Sequence, residues 1–404
     1  MMNLLQECIT NGTVIKTDRA TKMVVDGLTE TYPIYQVKLT NLFFNDQNDR
    51  IATWLSQYKS ENGENALNKE DLEAYNDTIQ RFITESNPER LKQTQINIAM
   101  LGQQKNGVVL NDGRIIDGNR RFSCLRNLAK DDPRFNYFET VILDRDYEHS
   151  AKQIKMLELQ IQIGEEARVD YNPIDKLVGI YLDVKEKGLL TVAEYAKSTN
   201  QTLKEVEKQL ELAELLVEFL EAINAPRKFY LAREMDLNGP LIELQGILKK
   251  IKDEDKRQEV KMIVFTNFLM QPSGDMTRFV RNLKKIAGSR YIDEFIEKEI
   301  DTVEDILDSL PEPGKVNSDV IAQIRADDDV KTELEHTMEI VSNKVKATET
   351  RNKPNQMLIK AVDNVEAIDT GIIKKLTEEQ REDIRENLEI LEELIDKIRE
   401  AANI

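Results

Sequence analysis

Histidine, cysteine and tryptophan are nearly absent, with two, two and one among 404 residues. Cys8 and Cys124 cannot make a disulfide framework, and with only His149 and His336 beside them a structural zinc site is not expected. Catalysis by a Ser-His-Asp or Cys-His arrangement has almost nothing to draw on. Glycine and proline, 16 and 10 residues, stand at about half their usual share and argue against a turn-rich β architecture. Long apolar runs are missing too: the longest, 262–270, is interrupted by Thr266 and Asn267 and is too short to span a bilayer. The first residues (MMNLLQECITNGTVIK) lack a charged start followed by an apolar run, so no signal peptide is expected and a reducing cytoplasm is the expected compartment. No Walker-type Gly-x-x-x-x-Gly-Lys-Ser/Thr occurs.

Charge, by contrast, is plentiful. Asp and Glu number 74 against 56 Lys and Arg, a formal −18, while a 40% hydrophobic fraction suffices for a core. Such a balance opposes non-specific attachment to nucleic acid or an anionic membrane, yet leaves room for a local basic site. At this length two or three domains are expected.

Hydrophobic periodicity divides the chain. Residues 35–39 (YQVKL) alternate like a strand, 45–50 (NDQNDR) punctuate, and 51–58 read as a short helix. Leu72, Tyr75, Ile79 and Phe82 set a helical period to about Ser86, and 91–101 is a further helix. Then 107–110 (GVVL) and 114–116 (RII), separated by Asn111-Asp112-Gly113, form a hairpin signal. It feeds into a helix over 120–130 with Phe122, Leu125 and Leu128 on one face, and 139–143 (ETVIL) is one more strand. Beyond about 150 the pattern is helical: 150–163, then Asn172-Pro173 opening a helix to Glu186, a short helix over 191–198, and a long one with Val206, Leu210, Leu215, Phe219 and Ile223 inward. The stretch 226–345 is helical without a legible motif, and 311–314 (PEPG) reads as a linker. A Thr377-x-x-Gln380 capping box opens the last helix, 377–402. Its Ile384, Leu388, Leu391, Ile395 and Ile398 are spaced as a coiled-coil seam.

The chemistry concentrates at Asp117-Gly118-Asn119-Arg120-Arg121, where a strand hands over to a helix. First-turn N–H groups and the helix dipole favour an anion there. Gly118 permits positive φ and close approach, two adjacent guanidinium groups fork onto phosphate oxygens, and Arg114 and Arg126 add local positive charge. Asp117 is a candidate to position a water or a phosphoryl acceptor, or to cap the turn. Cys124, within the motif helix, reads as a core thiol.

The run 101–143 (LGQQKNGVVLNDGRIIDGNRRFSCLRNL…ETVIL) resembles the N-terminal domain of the ParB/sulfiredoxin superfamily, whose Gly-x-Arg-Arg turn matches residues 118–121. Upstream, 39–51 resembles that family's opening segment. Residues 170–223 are similar to the helix-turn-helix region of ParB partition proteins. The resemblance spans roughly 35–225, with an inserted helix at about 64–86. It implies a phosphate-holding role for Gly118, Asn119, Arg120 and Arg121, and a place beside the nucleotide for Gly102 with Gln103 or Gln104. It further implies a Mg²⁺ ligand in the following helix, for which Glu158 is the nearest match and Glu165 and Glu166 are rivals. No Cys occupies 117–121, which sets aside the sulfiredoxin chemistry.

One departure is electrostatic. Over 191–225 seven Glu face three Lys, so a helix-turn-helix there lacks the basic surface that DNA binding needs. Arg278, Arg281, Lys284, Lys285 and Arg290 form a better basic stripe, or the positive half of a helix pairing with nearby acids. The expected fold is an α+β N-terminal ParB/sulfiredoxin-like domain (1–150) followed by a mainly α-helical middle and C-terminal region. The middle is a degenerate helix-turn-helix region (151–230), and 231–404 ends in a coiled-coil or dimerisation helix. The expected function is binding of a nucleoside triphosphate, CTP or ATP, with Mg²⁺, and slow hydrolysis in a homodimeric switch, without a membrane. A DNA-binding partition or regulatory clamp, or a phosphotransferase or nuclease, is the alternative.

Overall fold

The computed structural model describes residues 3–6, 12–25, 27–145, 147–164 and 172–403. Cys8, Glu165, Glu166 and Asp170 lie outside the described residues. Two compact units result, Met1–Ser342 and Asn343–Ile404. No described helix is long and apolar enough to cross a membrane.

The first unit opens with a mixed sheet. Its strands are β1 (Val14–Val25), β2 (Leu28–Lys38), β3 (Phe43–Phe44), β4 (Gly107–Leu110), β5 (Arg114–Asp117) and β6 (Tyr137–Leu143), in the spatial order β1-β2-β6-β4-β5-β3. Pairing is antiparallel for β1–β2, β2–β6 and β4–β5, and parallel for β4–β6 and β3–β5. Side chains alternate across the middle strands. Val109, Ile115, Phe138 and Ile142 enter one core, and Val108, Leu110, Ile116, Val141 and Leu143 the other. Burial on both faces explains why GVVL and TVIL are continuous apolar runs.

Helices α1 (Ala52–Asn62), α2 (Leu72–Ser86), α3 (Pro88–Leu101) and α4 (Asn119–Leu128) follow the expected order. Tyr75, Ile79, Phe82, Leu91, Ile98 and Phe122 place α2, α3 and α4 on the first core, while Ile154 and Leu157 of α5 (Tyr147–Gly164) cover the second.

One strand expectation needs correction, and two strands had no counterpart in the sequence reading. The strand expected at 35–39 runs from Leu28 to Lys38 and pairs with β1, which periodicity did not reveal. In β1 only the terminal Val14 and Val25 are buried, and the residues between are polar or half-exposed, so no apolar stripe marks it. Gly27, at φ +79°, permits the tight connection. The two-residue β3 is set by its parallel register with Arg114 and Ile115, a long-range pairing that local pattern cannot report.

The helical remainder of this unit contains α6 (Pro173–Ile180), continued by a π-helical turn over Tyr181–Glu186, then α7 (Val192–Ser198) and α8 (Leu203–Ala222). Both α7 and α8 start at complete capping boxes, Thr191 with Glu194 and Thr202 with Glu205. After them come α9 (Phe229–Glu234), α10 (Asn238–Leu248), α11 (Glu254–Met270), α12 (Met276–Ala287), α13 (Ile292–Asp308), α14 (Ser318–Ile324) and α15 (Asp328–Glu366). The segment 311–314 is not a linker: Gly314 N–H donates to the Asn224 carbonyl at 2.7 Å and Asn224 Nδ2 to the Pro311 carbonyl at 2.9 Å. Proline and glycine mark a turn there, and packing against the end of α8 closes it. In the second unit, α16 (Thr370–Ile373) and α17 (Glu378–Ala402) follow the end of α15.

Glu299 on α13 is 2% exposed, and burial pushes its carboxyl up to about 8 despite hydrogen bonds with Thr337 and Asn267. A raised carboxyl pKa means the folded state holds a proton that the unfolded chain releases. This stabilisation is therefore full below the ordinary glutamate pKa near 4.5 and is lost as pH rises toward 8. Glu299→Gln should flatten that slope and exceed the wild type at pH 8 by on the order of 3 kcal/mol. Urea unfolding of both proteins at pH 5 and pH 8 checks it. An equal difference at the two pH values would refute the assignment.

Candidate functional site

The hand-over from β5 to α4 builds one wall of a cavity of about 180 Å³. Asp117 ends the strand. Gly118 then takes φ +102° and ψ +15°, the left-handed region, as the N-cap of α4. A Cβ at this position would lie 2.7 Å from the Phe138 ring, so both backbone sign and space require glycine. With glycine as cap, the first-turn amides receive no side-chain cap. Phe122 anchors the helix behind them: it is fully buried, its N–H donates to the Gly118 carbonyl at 2.9 Å, and its ring meets Phe44 and Phe138 edge-on.

Arg120 and Arg121 project from this first turn and line the cavity with Asp117, Gly118 and Asn119. Arg121 Nη2 lies 2.8 Å from Asp117 Oδ2 and donates to the Asn106 carbonyl at 3.4 Å. Two buried polar atoms here, Asn119 Oδ1 and Arg121 Nε, have no hydrogen-bond partner among the described residues. The opposite walls come from Asn48, Arg50 and Ile51, from Ile83 and Ser86 of α2, and from Thr94 of α3. Three arginines against one aspartate give this small volume a net positive charge.

Arg50 is placed by a 3₁₀ turn over Asp49–Ile51, which Asn48 caps by accepting from the Arg50 N–H at 3.1 Å. A buried charge cluster holds that turn in place. Lys155, on α5 and 4% exposed, lies 2.6 Å from Asp49 Oδ1, 3.3 Å from Asp183 Oδ2 and 4.0 Å from Glu158 Oε2, and donates to the Gln47 carbonyl at 3.2 Å. Burial opposes the ammonium, but Asp49, Glu158 and Asp183 outweigh it and keep its pKa above the ordinary lysine value. Burial also lifts Asp183 to about 6, with Lys155 pulling the other way. A second junction lies close by. Asp175 accepts from the Thr53 N–H at 2.9 Å and is raised to about 7 by burial, while Arg233 donates to Thr53 Oγ1 and stacks on Trp54.

The site residues read from sequence are therefore only partly gathered. Asp117, Gly118, Asn119, Arg120 and Arg121 share the cavity. Gly102 and Gln104 do not line it: Gly102 ends α3 with its N–H on the Ile98 carbonyl, and Gln104 Nε2 donates to the Leu101 carbonyl at 2.5 Å. Gln103 instead pairs with the edge of β6, exchanging hydrogen bonds with the backbone of Glu139 at 2.7 and 2.9 Å. Arg114 is held by Asp46, and Arg126 by Glu73, Asp77 and Gln80, both away from the cavity. Cys124 is fully buried, and burial pushes its thiol up to about 12, consistent with a core residue.

Glu158 is 2% exposed and receives Asn45 Nδ2 at 3.3 Å. The cation beside it is the Lys155 ammonium, so a Mg²⁺ ligated by Glu158 does not fit this arrangement. The residues that sequence reasoning missed are Asn48, Arg50 and Lys155. The available signal for Lys155 was a Lys-x-x-Glu pair interrupting the apolar stripe of Ile154 and Leu157.

Compared with known proteins, the chain matches no family and no curated protein.

Proposed function

We propose that the chain binds a nucleoside triphosphate, CTP or ATP, through its phosphates, and acts as a nucleotide-gated switch in the cytoplasm. One observation carries the reading: an uncapped helix N-terminus at a left-handed glycine opens on a cavity lined by Arg50, Arg120 and Arg121. The volume suits a phosphate chain rather than a whole nucleotide, so base and sugar would extend beyond it. Any Mg²⁺ would be carried by phosphate oxygens and water, as that ion prefers. Slow hydrolysis would follow from charge neutralisation by the arginines, with Asp117 as the only carboxylate lining the cavity among the described residues. The similarity of residues 101–143 to the ParB/sulfiredoxin superfamily supports this reading, which includes a switch made of two copies. DNA binding fits less well, since Glu194 and Glu205 serve as helix caps on the very pair that would have to approach phosphates.

Calorimetric titration of the chain with CTP, ATP and GTP in the presence of Mg²⁺ tests the proposal. Saturable binding of one of them at one per chain is expected. Absence of heat with all three, at two temperatures so that a vanishing binding enthalpy is not mistaken for no binding, would sink it.

Asp117 supplies a sharper check. It neutralises Arg121 and adds a negative charge beside the incoming phosphates, so Asp117→Asn should tighten binding about tenfold. If Asp117 also orients the attacking water, phosphate release by the same variant should fall while its affinity rises. Weaker binding by Asp117→Asn would contradict the electrostatic role.

A further inference from the structure

The unit Asn343–Ile404 has an unusual surface: from 351 to 403 no residue is buried. Apolar side chains are nonetheless arranged in order along it. Leu358, Val362 and Val365 of α15 and Leu394, Ile395 and Ile398 of α17, each between 39% and 55% exposed, line one groove of about 760 Å³ between the two helices. Spacings of four and three recur on both helices, so each carries a heptad stripe toward the same opening. Helices owe most of their stability in water to packing of the apolar face, and a helical pair in which no side chain is fully buried lacks much of that support.

Charge identifies what covers the groove. The part of α15 within this unit, 343–366, has five basic and three acidic residues, whereas α17 has ten acidic and four basic. A two-fold arrangement places the basic helix of one copy against the acidic helix of the other, twice, while their apolar stripes interdigitate. The area is sufficient as well. About ten half-exposed aliphatic side chains at on the order of 70 Å² each give roughly 700 Å² per copy, close to the ~800 Å² per partner of a stable interface.

We propose that this groove seats the same groove of a second copy of the chain, forming a four-helix bundle. The pairing is independent of the nucleotide site. Sedimentation velocity of the full chain without nucleotide, at on the order of 10 µM, tests it: the expected mass is that of two chains. Leu394→Glu/Ile395→Glu should raise the dimer dissociation constant at least a hundredfold and leave one chain at this concentration. These two side chains are exposed in the single chain, so the unfolding transition of the rest should be retained. Lys353→Glu/Lys360→Glu should weaken the dimer several-fold at low salt and less at high salt. A single-chain mass for the wild type would overturn the proposal and leave the groove to a different protein. A dimer unaffected by Leu394→Glu/Ile395→Glu would overturn it too, by showing that the copies join elsewhere.

Discussion

Lys155→Met should cost about 3–5 kcal/mol of stability near neutral pH, the penalty of breaking a buried ion pair on one side. Three carboxylates, Asp49, Glu158 and Asp183, share this ammonium, and each is less than a tenth exposed. Methionine fills the stem's volume but leaves the charges facing one another in a medium that solvates them poorly. The wild-type sign is set by two shifts. Lys155, held above its ordinary pKa, contributes stability that is present below about 10.5 and is lost only as pH rises through the folded value. Asp183, raised to about 6, contributes most below its ordinary value of 3.8, and that contribution fades as pH climbs through 6. In the variant the Lys155 charge no longer opposes protonation of Asp183, so that carboxyl takes up its proton more readily and the loss shrinks on acidification. Urea unfolding at pH 5 and pH 8 should show the larger deficit at pH 8. Asp49→Asn combined with Lys155→Met should cost less than the sum of the two single changes, since the residues touch. A Lys155→Met protein as stable as the wild type at pH 8 would remove the cluster's structural role.

The same cluster connects architecture to the cavity. Asp49 lies between Asn48 and Arg50, both of which line the phosphate-sized volume, while Lys155 and Asp183 belong to α5 and to the π-helical extension of α6. The turn that presents Arg50 is thus fastened to the helices by buried charge, and movement of either should alter the position of that guanidinium. A π-helical turn often marks a functional position, and here it supplies the Asp183 carboxylate.

How much of this was legible in the chain depends on range. The junction at 117–121 was readable because every cue is local: β-branched residues, Asn111-Asp112-Gly113, a glycine able to adopt positive φ, then apolar residues at helical spacing. Helix order from 52 to 222 was readable for the same reason, as was the Thr377–Gln380 capping box. The unread parts depend on distant partners. β1 is polar through most of its length and is a strand because β2 pairs with it. Arg50 becomes a cavity residue through a cap at Asn48 and an ion pair more than a hundred positions away. Glu158 looked like a metal ligand because a lone acid on a helix does not announce that Lys155 has been buried beside it. Gly102 and Gln104 are close in sequence to β4, yet their hydrogen bonds belong to the end of α3.

Arg120→Ala/Arg121→Ala should weaken triphosphate binding by at least a hundredfold. Hydrogen bonds to charged groups contribute about 1.5–3 kcal/mol each, and two of them lost correspond to two or more decades in dissociation constant. The pair is not equivalent, which gives the experiment its control. Arg121 neutralises Asp117, 9% exposed, across 2.8 Å, so its removal leaves a carboxylate in the cavity that repels phosphate and lowers stability. Arg120 is not part of that ion pair. The single variant Arg120→Ala should therefore lose about tenfold in affinity without stranding the Asp117 carboxylate. Arg121→Ala should lose more affinity together with some stability, and Asp117→Asn/Arg121→Ala should recover part of both by removing the stranded charge. Salt separates charge from shape: raising ionic strength should weaken the wild type more than the double variant, because screening acts on the contacts the variant lacks. Calorimetry across the four variants at two salt concentrations reads all of these effects. If Arg120→Ala/Arg121→Ala bound the nucleotide as the wild type does, the phosphates would have to lie elsewhere, and the arginine-lined cavity would be a feature of packing.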